Sequence, residues 1–114
     1  MMRSSERTAR KEHWCMWCGG TIAAGERHVD AFWIAEGEPW YGRAHCDCHA
    51  FAITVGGRID GGDGIPAFDD WLGHGVEDLL SAEELAEHKR LTDRGLAQAR
   101  AAEARRQAAA RVAQ

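Results

Sequence analysis

The sequence predicts a small α+β protein, in which short strands and one short helix precede a longer C-terminal helix. A strand over 27–34 would place Val29, Ala31 and Trp33 on one face and His28, Asp30 and Phe32 on the other. After Ala44 the apolar spacing becomes helical, and residues 76–114 are rich in helix-forming residues. The length of 114 residues leaves room for one compact domain with tails.

The N-terminal half divides into two segments. Residues 1–12 are polar, with four basic against two acidic residues, and are predicted to be a flexible basic arm. Residues 13–55 contain all four cysteines and form the predicted domain. Within it we expect strands over 27–34 and 39–43, a turn at 36–38, and a helix over 45–55 that Gly56-Gly57 ends.

The C-terminal half also divides into two segments. Residues 56–75 have the composition of a Gly/Asp-rich loop, and their apolar anchors are expected to pack on the preceding domain. These anchors are Ile65, Phe68, Trp71 and Leu72. Residues 76–114 are predicted to be a helical segment that the capping box Ser81-Ala-Glu-Glu84 opens, with a basic, Ala-rich tail. Gly95 is expected to break this helix, and the residues beyond it to form a frayed helical tail.

The charges are strongly separated along the chain. Net charge is +2 over residues 1–12, −11 over 13–87 and +5 over 88–114. The chain has no apolar run long enough to span a bilayer, and its first dozen residues lack a hydrophobic signal segment. We therefore expect a cytoplasmic protein without a membrane partner, in which four cysteines favour metal or redox chemistry over disulfides.

Two pairs of candidate metal ligands, Cys15-x2-Cys18 and His45-x2-Cys48, lie twenty-six residues apart. Two residues between cysteines in a tight turn let both sulfurs reach one ion, and small residues after them let backbone amides approach the thiolates. Positions i and i+3 at a helix start share one face, so His45 and Cys48 can reach the same ion. Three thiolates and one imidazole favour a single structural Zn²⁺.

The sequence leaves alternatives for this site. Cys46 or His49 could replace His45, although a shift of one residue would point Cys46 away from the shared helical face. A thioredoxin-like redox site is disfavoured, because a polar arm precedes Cys15 and glycines follow Cys18. Four reduced cysteines without metal are disfavoured because so short a segment has little core of its own.

These motifs resemble a known family. A cysteine turn, a hairpin and a helix that carries the last two ligands resemble the treble-clef zinc finger, and the ligand order resembles its PARP-type variant and the first half of a LIM domain. The stretch Cys15-x-Trp-Cys-Gly-x-x-Ile-x-x-Gly-Glu26, followed by His45-x-x-Cys48, is similar to small zinc-finger proteins of bacteriophages and prophages. The resemblance covers about residues 13–52 and implies a treble-clef fold. DNA-break recognition by basic residues, known for PARP-type fingers, does not carry over to this acidic segment.

Candidate partner-binding residues lie in the finger and in the tail. Four of the five tryptophans and the one tyrosine crowd residues 13–55, where they could form a small core, which we favour, or a contact surface for bases or a protein. Trp17 is expected to point outward between two cysteines, and basic tail residues could contact phosphates. The candidates are Trp17, Trp40, Arg100, Arg105 and Arg106.

The function that these features favour is a non-catalytic zinc-binding interaction protein, phage or prophage encoded. It would dock a host or phage protein, or nucleic acid through its basic tail; the oligomeric state, a homodimer included, is left open. The alternative is a phage inhibitor of a host defence complex, anti-CRISPR-like, whose acidic surface (Asp69, Asp70, Glu77 and Asp78) occupies a nucleic-acid site. An HNH-like nuclease is less favoured, because the chain has no Asn and His28-Val-Asp30 lies before the turn.

Overall fold

The computed structural model describes residues 2–35, 37–56, 58, 67–68, 71 and 76–112. Within these ranges the description leaves out the side chains of Met2, Trp33, Ala35, Val76 and Glu77. Most of the predicted loop over 56–75 lies outside the described residues, including the anchors Ile65 and Leu72. Asp69 and Asp70 of the predicted acidic surface also lie outside the described residues. The packing of the loop and the acidic surface therefore stay predictions.

The described residues form an α+β fold, as predicted, with two small antiparallel sheets and a long C-terminal helix. The elements in chain order are β1 (Met2–Thr8), β2 (His13–Trp14), β3 (Thr21–Ile22), β4 (Arg27–Ala35), β5 (Glu38–His45), α1 (Cys46–Gly56), a 3₁₀ turn (Val76–Leu79) and α2 (Ala82–Val112). One sheet has the order β1-β4-β5, and the other pairs β2 with β3.

The β4–β5 hairpin matches the two predicted strands and extends each of them. Gly37 closes the hairpin with a φ of 79°, a conformation that favours glycine. The alternation in β4 has the expected cause, because Val29 and Ala31 are buried and their neighbour across the strands, Ala44, is fully buried. One face of the sheet therefore covers the core.

The prediction of a flexible arm over residues 1–12 is wrong, because residues 2–8 form strand β1 along the edge of β4. The exchange of backbone hydrogen bonds in an antiparallel ladder does not require apolar side chains. Ala9, at the end of β1, is buried and forms backbone hydrogen bonds of 2.9 Å to Glu26 and 2.8 Å from Gly25. These contacts attach the N-terminal segment to the domain.

Helix α1 confirms the predicted short helix with a shift of one residue, since it covers Cys46–Gly56. His45 is the last residue of β5, and Cys48 lies in the first turn of the helix. The helix buries Cys48, Ala52 and Val55 against the core. The strand end and the helix start therefore meet at the two predicted ligands.

Helix α2 begins at the predicted capping box and continues through Gly95. Ser81 Oγ accepts the Glu84 amide at 3.1 Å, and Glu84 Oε1 accepts the Ser81 amide at 2.9 Å. The predicted break at Gly95 is wrong, because this buried glycine lies against the Cys18 backbone where the helix crosses the cysteine turn. Among the helices in the described ranges, none combines the length and apolarity that a bilayer crossing needs.

The core lies between α1, α2 and the cysteine turn, and aromatic rings fill much of it. Phe68 and Trp71 are fully buried, and Trp17 stacks on Phe68 with ring centroids 6.2 Å apart. The prediction that Trp17 points outward is therefore wrong, since only 4% of it is exposed. Trp14 and Trp40, in contrast, are 65% and 51% exposed, so these tryptophans do not form the core that we favoured for them.

Candidate metal centre

Four side chains from three elements converge where the end of β5 meets the turn between β2 and β3. They are Cys15 and Cys18 from the turn between β2 and β3, His45 from the end of β5, and Cys48 from α1. One ligand atom from each lies within 4.8 Å of the other three. Cys15 and Cys48 are fully buried and His45 is 2% exposed, so these groups could hold a metal ion away from water.

The turn between β2 and β3 is shaped to present two sulfurs. The Cys15 amide donates to Gly20 O at 2.9 Å, and the Gly19 amide donates to Cys15 O at 3.0 Å. Gly19 has a φ of 75°, which only glycine adopts at low cost. The Gly20 amide then donates to Cys18 Sγ at 3.4 Å. As expected from the sequence, backbone donors approach the sulfur because the residues after Cys18 are glycines.

The distances between ligand atoms fit a tetrahedral ion. Bonds of about 2.3 Å to sulfur and about 2.0 Å to nitrogen place sulfur and nitrogen about 3.5 Å apart in a tetrahedron. His45 Nδ1 lies 3.3 Å from Cys18 Sγ and 3.6 Å from Cys48 Sγ. The arrangement therefore has the size and the donor atoms that a tetrahedral metal site requires.

The orientation of His45 is set by its other ring nitrogen. Nε2 lies 2.9 Å from the carbonyl oxygen of Thr21, which can only accept a hydrogen bond. In the neutral ring that binds a metal, Nε2 is therefore the protonated nitrogen, and the lone pair of Nδ1 faces the three sulfurs. A hydrogen bond of this kind is the usual way in which proteins orient a metal-binding imidazole.

The geometry bears on the ligand alternatives that the sequence left open. His45 and Cys48 belong to the cluster, whereas Cys46 and His49 do not. Cys46 is partly exposed, and burial raises the pKa of its thiol. Burial also lowers the pKa of His49. The geometry therefore favours the set that was predicted.

Two residues that the sequence analysis missed support the site, Asp47 of α1 and Arg94 of α2. Arg94 makes two hydrogen bonds to the Asp47 carboxylate, at 2.6 and 2.8 Å, and a third to Cys48 Sγ at 3.3 Å. Asp47 in turn accepts the Cys48 amide at 2.9 Å, and the hydrogen bond from Arg94 helps lower its pKa to about 2. The position of Asp47 between His45 and Cys48 in the sequence could have indicated that it supports the site. No sequence spacing, however, connects Asp47 to Arg94.

The candidate ligands hydrogen-bond with one another, which shifts the pKa values of Cys15, His45 and Cys48. Hydrogen bonds from Cys18 and Cys48 hold the pKa of the Cys15 thiol far below its usual range, and those to Cys15 and Cys18 raise the pKa of Cys48. Burial alone lowers the pKa of His45, but hydrogen bonds to Cys15 and Cys18 raise it to about 10. Because ligands must lose these protons to bind a metal, the site's affinity for a metal ion must fall in acid.

The predicted partner-binding residues are not gathered into one surface. Trp17 lies in the core, whereas Trp40 is half exposed near the tip of the β4–β5 hairpin. In the tail, Arg105 pairs with Glu12 at 3.1 Å and Arg106 with Glu103 at 2.7 Å. Arg100 is exposed. Two of the three tail arginines therefore already have acidic partners.

Comparison of this chain with protein-family models, with curated proteins and with solved structures found no match. The geometry of the four side chains and their neighbours therefore carries the functional argument.

Proposed function

We propose that this chain is a small zinc-binding interaction protein built on a treble-clef finger. The observation that carries the proposal is the cluster of three sulfurs and one nitrogen within 4.8 Å of one another, in which Cys15, His45 and Cys48 are buried and Cys18 is partly exposed. Thiolate and imidazole ligands in this ratio suit Zn²⁺ better than the harder cations, which prefer oxygen. The order of elements, a cysteine turn, a hairpin and a helix with the last ligand, supports the treble-clef assignment.

The proposed role of the metal is structural. All four donors come from the protein, whereas catalytic zinc sites keep a position for water or substrate. Bound Zn²⁺ would supply a cross-link between the cysteine turn, β5 and α1, and Arg94 adds α2 through Cys48. A segment this short has little apolar core, and such a cross-link is a common way to stabilise it.

The proposed activity is docking of a protein or nucleic-acid partner in the cytoplasm, in a phage or prophage setting. Exposed aromatic residues favour it, since Trp14, Trp40 and Tyr41 are each more than half exposed. Large aromatic side chains at the surface are typical of contact sites. The inhibitor alternative stays a prediction, because Asp69, Asp70 and the side chain of Glu77 lie outside the described part of the chain.

A nuclease stays the less favoured alternative, and one contact gives it a test. His28 Nε2 lies 2.9 Å from Asp30 Oδ1, which is the arrangement of a histidine oriented by a carboxylate. DNA cleavage that depends on added Mg²⁺ and is lost in His28→Ala would support an enzyme and contradict a purely docking protein.

The zinc proposal is tested by metal content and unfolding. We expect one zinc ion per purified chain, and we expect Cys18→Ser to lose both the zinc and cooperative thermal unfolding. Cys46→Ser is the matched control, because it removes a neighbouring thiol outside the cluster and should keep the zinc. Metal content near zero in the parent chain, or an unchanged Cys18→Ser protein, would refute the proposal.

A further inference from the structure

One face of the three-stranded sheet is largely exposed beyond its buried His28–His45 end. Residues directly opposite one another in an antiparallel ladder point to the same side, and Asp30 lies opposite Arg43 and Ser5, while Phe32 lies opposite Tyr41 and Arg3. The contacts agree, because Arg7 and Arg43 both approach the Asp30 carboxylate. We call this side, defined by Arg3, Arg7, Asp30, Phe32, Tyr41 and Arg43, the outer face.

One end of the outer face is a cleft of ≈ 800 Å³ with a strong positive charge. Its lining includes Arg7, Arg10, Lys11 and Arg43, against the single carboxylate of Asp30. Asp30 lies 3.3 Å from Arg7 Nε and 3.5 Å from Arg43 Nε. One carboxylate placed between two arginines orients both but neutralises only part of the charge, so the cleft favours an anion.

A buried histidine in this cleft has an unused polar atom. His28 lines the cleft and is 3% exposed, and its Nε2 is engaged by Asp30. Its Nδ1 has no hydrogen-bond partner among the described residues. A buried polar nitrogen without a partner costs free energy. Because the Asp30 carboxylate accepts from Nε2, Nδ1 of a neutral ring is an acceptor. A donor group of a ligand, such as a hydroxyl or a base N–H, would therefore remove this penalty, whereas a phosphate oxygen would not.

The rest of the outer face adds an aromatic surface next to this charge. Tyr41 is 77% exposed and packs on Phe32 with ring centroids 5.0 Å apart. Both rings, together with Arg3, line a shallow depression of ≈ 240 Å³. Asp30 lines this depression as well as the cationic cleft, so the two surfaces adjoin.

We propose that the outer face binds single-stranded nucleic acid, with phosphates in the cationic cleft and a base stacked on Tyr41. Cations that follow a backbone and aromatic rings on which bases stack are the two features that such binding needs. Bases in a duplex are stacked on one another, so they offer no free face to Tyr41. The inference rests on the proposed function, since it names the partner class and surface of the same docking protein.

The stacking part is tested by fluorescence anisotropy of the full-length, zinc-loaded chain with labelled oligothymidine and oligouridine of about 20 nucleotides, a length that covers the common binding sites. We expect binding to both, and weaker binding to a duplex. Tyr41→Ala should weaken binding about 5- to 100-fold, the usual loss for one stacked base. Tyr41→Phe keeps the ring and should bind as the parent does.

The contribution of charge is tested by comparing two double variants, one that removes two positive charges from the cleft and one that removes two from the tail. Arg10→Gln/Lys11→Gln removes two cleft cations that are exposed, and should lower the slope of log K against log salt by about 1.4 for single strands. Arg100→Gln/Arg105→Gln removes two cations from the tail. A larger loss in the cleft variant supports the proposal, and an equal or larger loss in the tail variant overturns it.

Two further outcomes overturn the inference. One is a zinc-loaded, folded chain that binds neither oligonucleotide at low salt. The other is a Tyr41→Ala variant that binds as tightly as Tyr41→Phe. Zinc content and thermal unfolding of the same samples separate these failures from failure of the proposed function, in which the metal itself would be absent.

Discussion

Gly95 gives the sharpest test of how closely α2 packs on the cysteine turn. On helix propensity alone, Gly95→Ala should stabilise the helix by about 1 kcal/mol. A Cβ at this position would however lie 2.9 Å from Cys18 Cβ and 3.0 Å from the Cys18 carbonyl carbon, and closer still to the carbonyl oxygen. Real side chains do not approach backbone atoms so closely, so either the helix or the turn must move.

The steric cost should exceed the gain in helix propensity. Overpacking of a well-packed site costs roughly 1–3 kcal/mol, and the upper end applies where the opposing atoms are backbone and have no rotamer to change. Subtracting the propensity gain leaves a net destabilisation of about 2 kcal/mol. Because the displaced residue is the ligand Cys18, metal affinity should fall together with stability.

The assay is urea unfolding, followed by far-ultraviolet circular dichroism at one fixed free zinc concentration, because bound metal adds to apparent stability. Ala97→Gly is the control, since residue 97 is exposed in the same helix and reports propensity alone, with an expected loss of about 1 kcal/mol. If Gly95→Ala is as stable as the parent or more stable, α2 does not cross the turn at this distance and the reasoning fails.

Two more predictions concern charged groups that join distant segments. Arg94→Met should weaken zinc binding about 10- to 100-fold in competition with a chelator, because it removes the hydrogen bonds that orient Asp47 and Cys48. Lys89→Met, a change at an exposed position on the same helix, is the control and should have no effect on zinc binding. Glu84→Gln should lower the free energy of unfolding at neutral pH. Hydrogen bonds from Arg58 lower the pKa of Glu84 to about 2 from 4.5. The contribution of the Glu84 carboxylate to stability is therefore present above pH 4.5 and disappears as the pH falls toward 2. The two proteins are compared over the acid range in which both remain folded, and a stability difference that does not shrink as the pH falls below 4.5 would contradict this reasoning.

The features that the sequence predicted are those with a local signal. Alternation in β4, the capping box at Ser81 and the Cys-x2-Cys turn each depend on residues a few positions apart, and each is present in the structure. The ligand set was predicted for a related reason, because each of its two pairs spans only four residues, although the second pair joins two elements, with His45 at the end of β5 and Cys48 in α1. Only the joining of the pairs depends on the tertiary fold.

The features that the sequence did not predict depend on neighbours far along the chain. Strand β1 has almost no apolar side chains, so nothing in its pattern distinguishes it from a polar arm until the edge of β4 is known. Trp17 is buried because Phe68 stacks on it, fifty-one residues away in the sequence. The sequence alone predicts that Gly95 breaks the helix. The close approach of Cys18, which explains why a glycine is needed at this position, is visible only in three dimensions.

The proposed metal site and the outer face depend on the same stretch of β5. The Met16 amide in the cysteine turn donates to the Arg43 carbonyl oxygen at 2.8 Å, and the Met16 side chain packs against Gly42. Arg43 lines the cationic cleft, and His45, two residues further on, completes the ligand cluster. Contacts that fix His45 against the cysteine turn therefore also fix the backbone from which Arg43 projects. A metal ion that only stabilises the fold would therefore affect whether the outer face is correctly formed, although it would not contact the nucleic acid proposed to bind there.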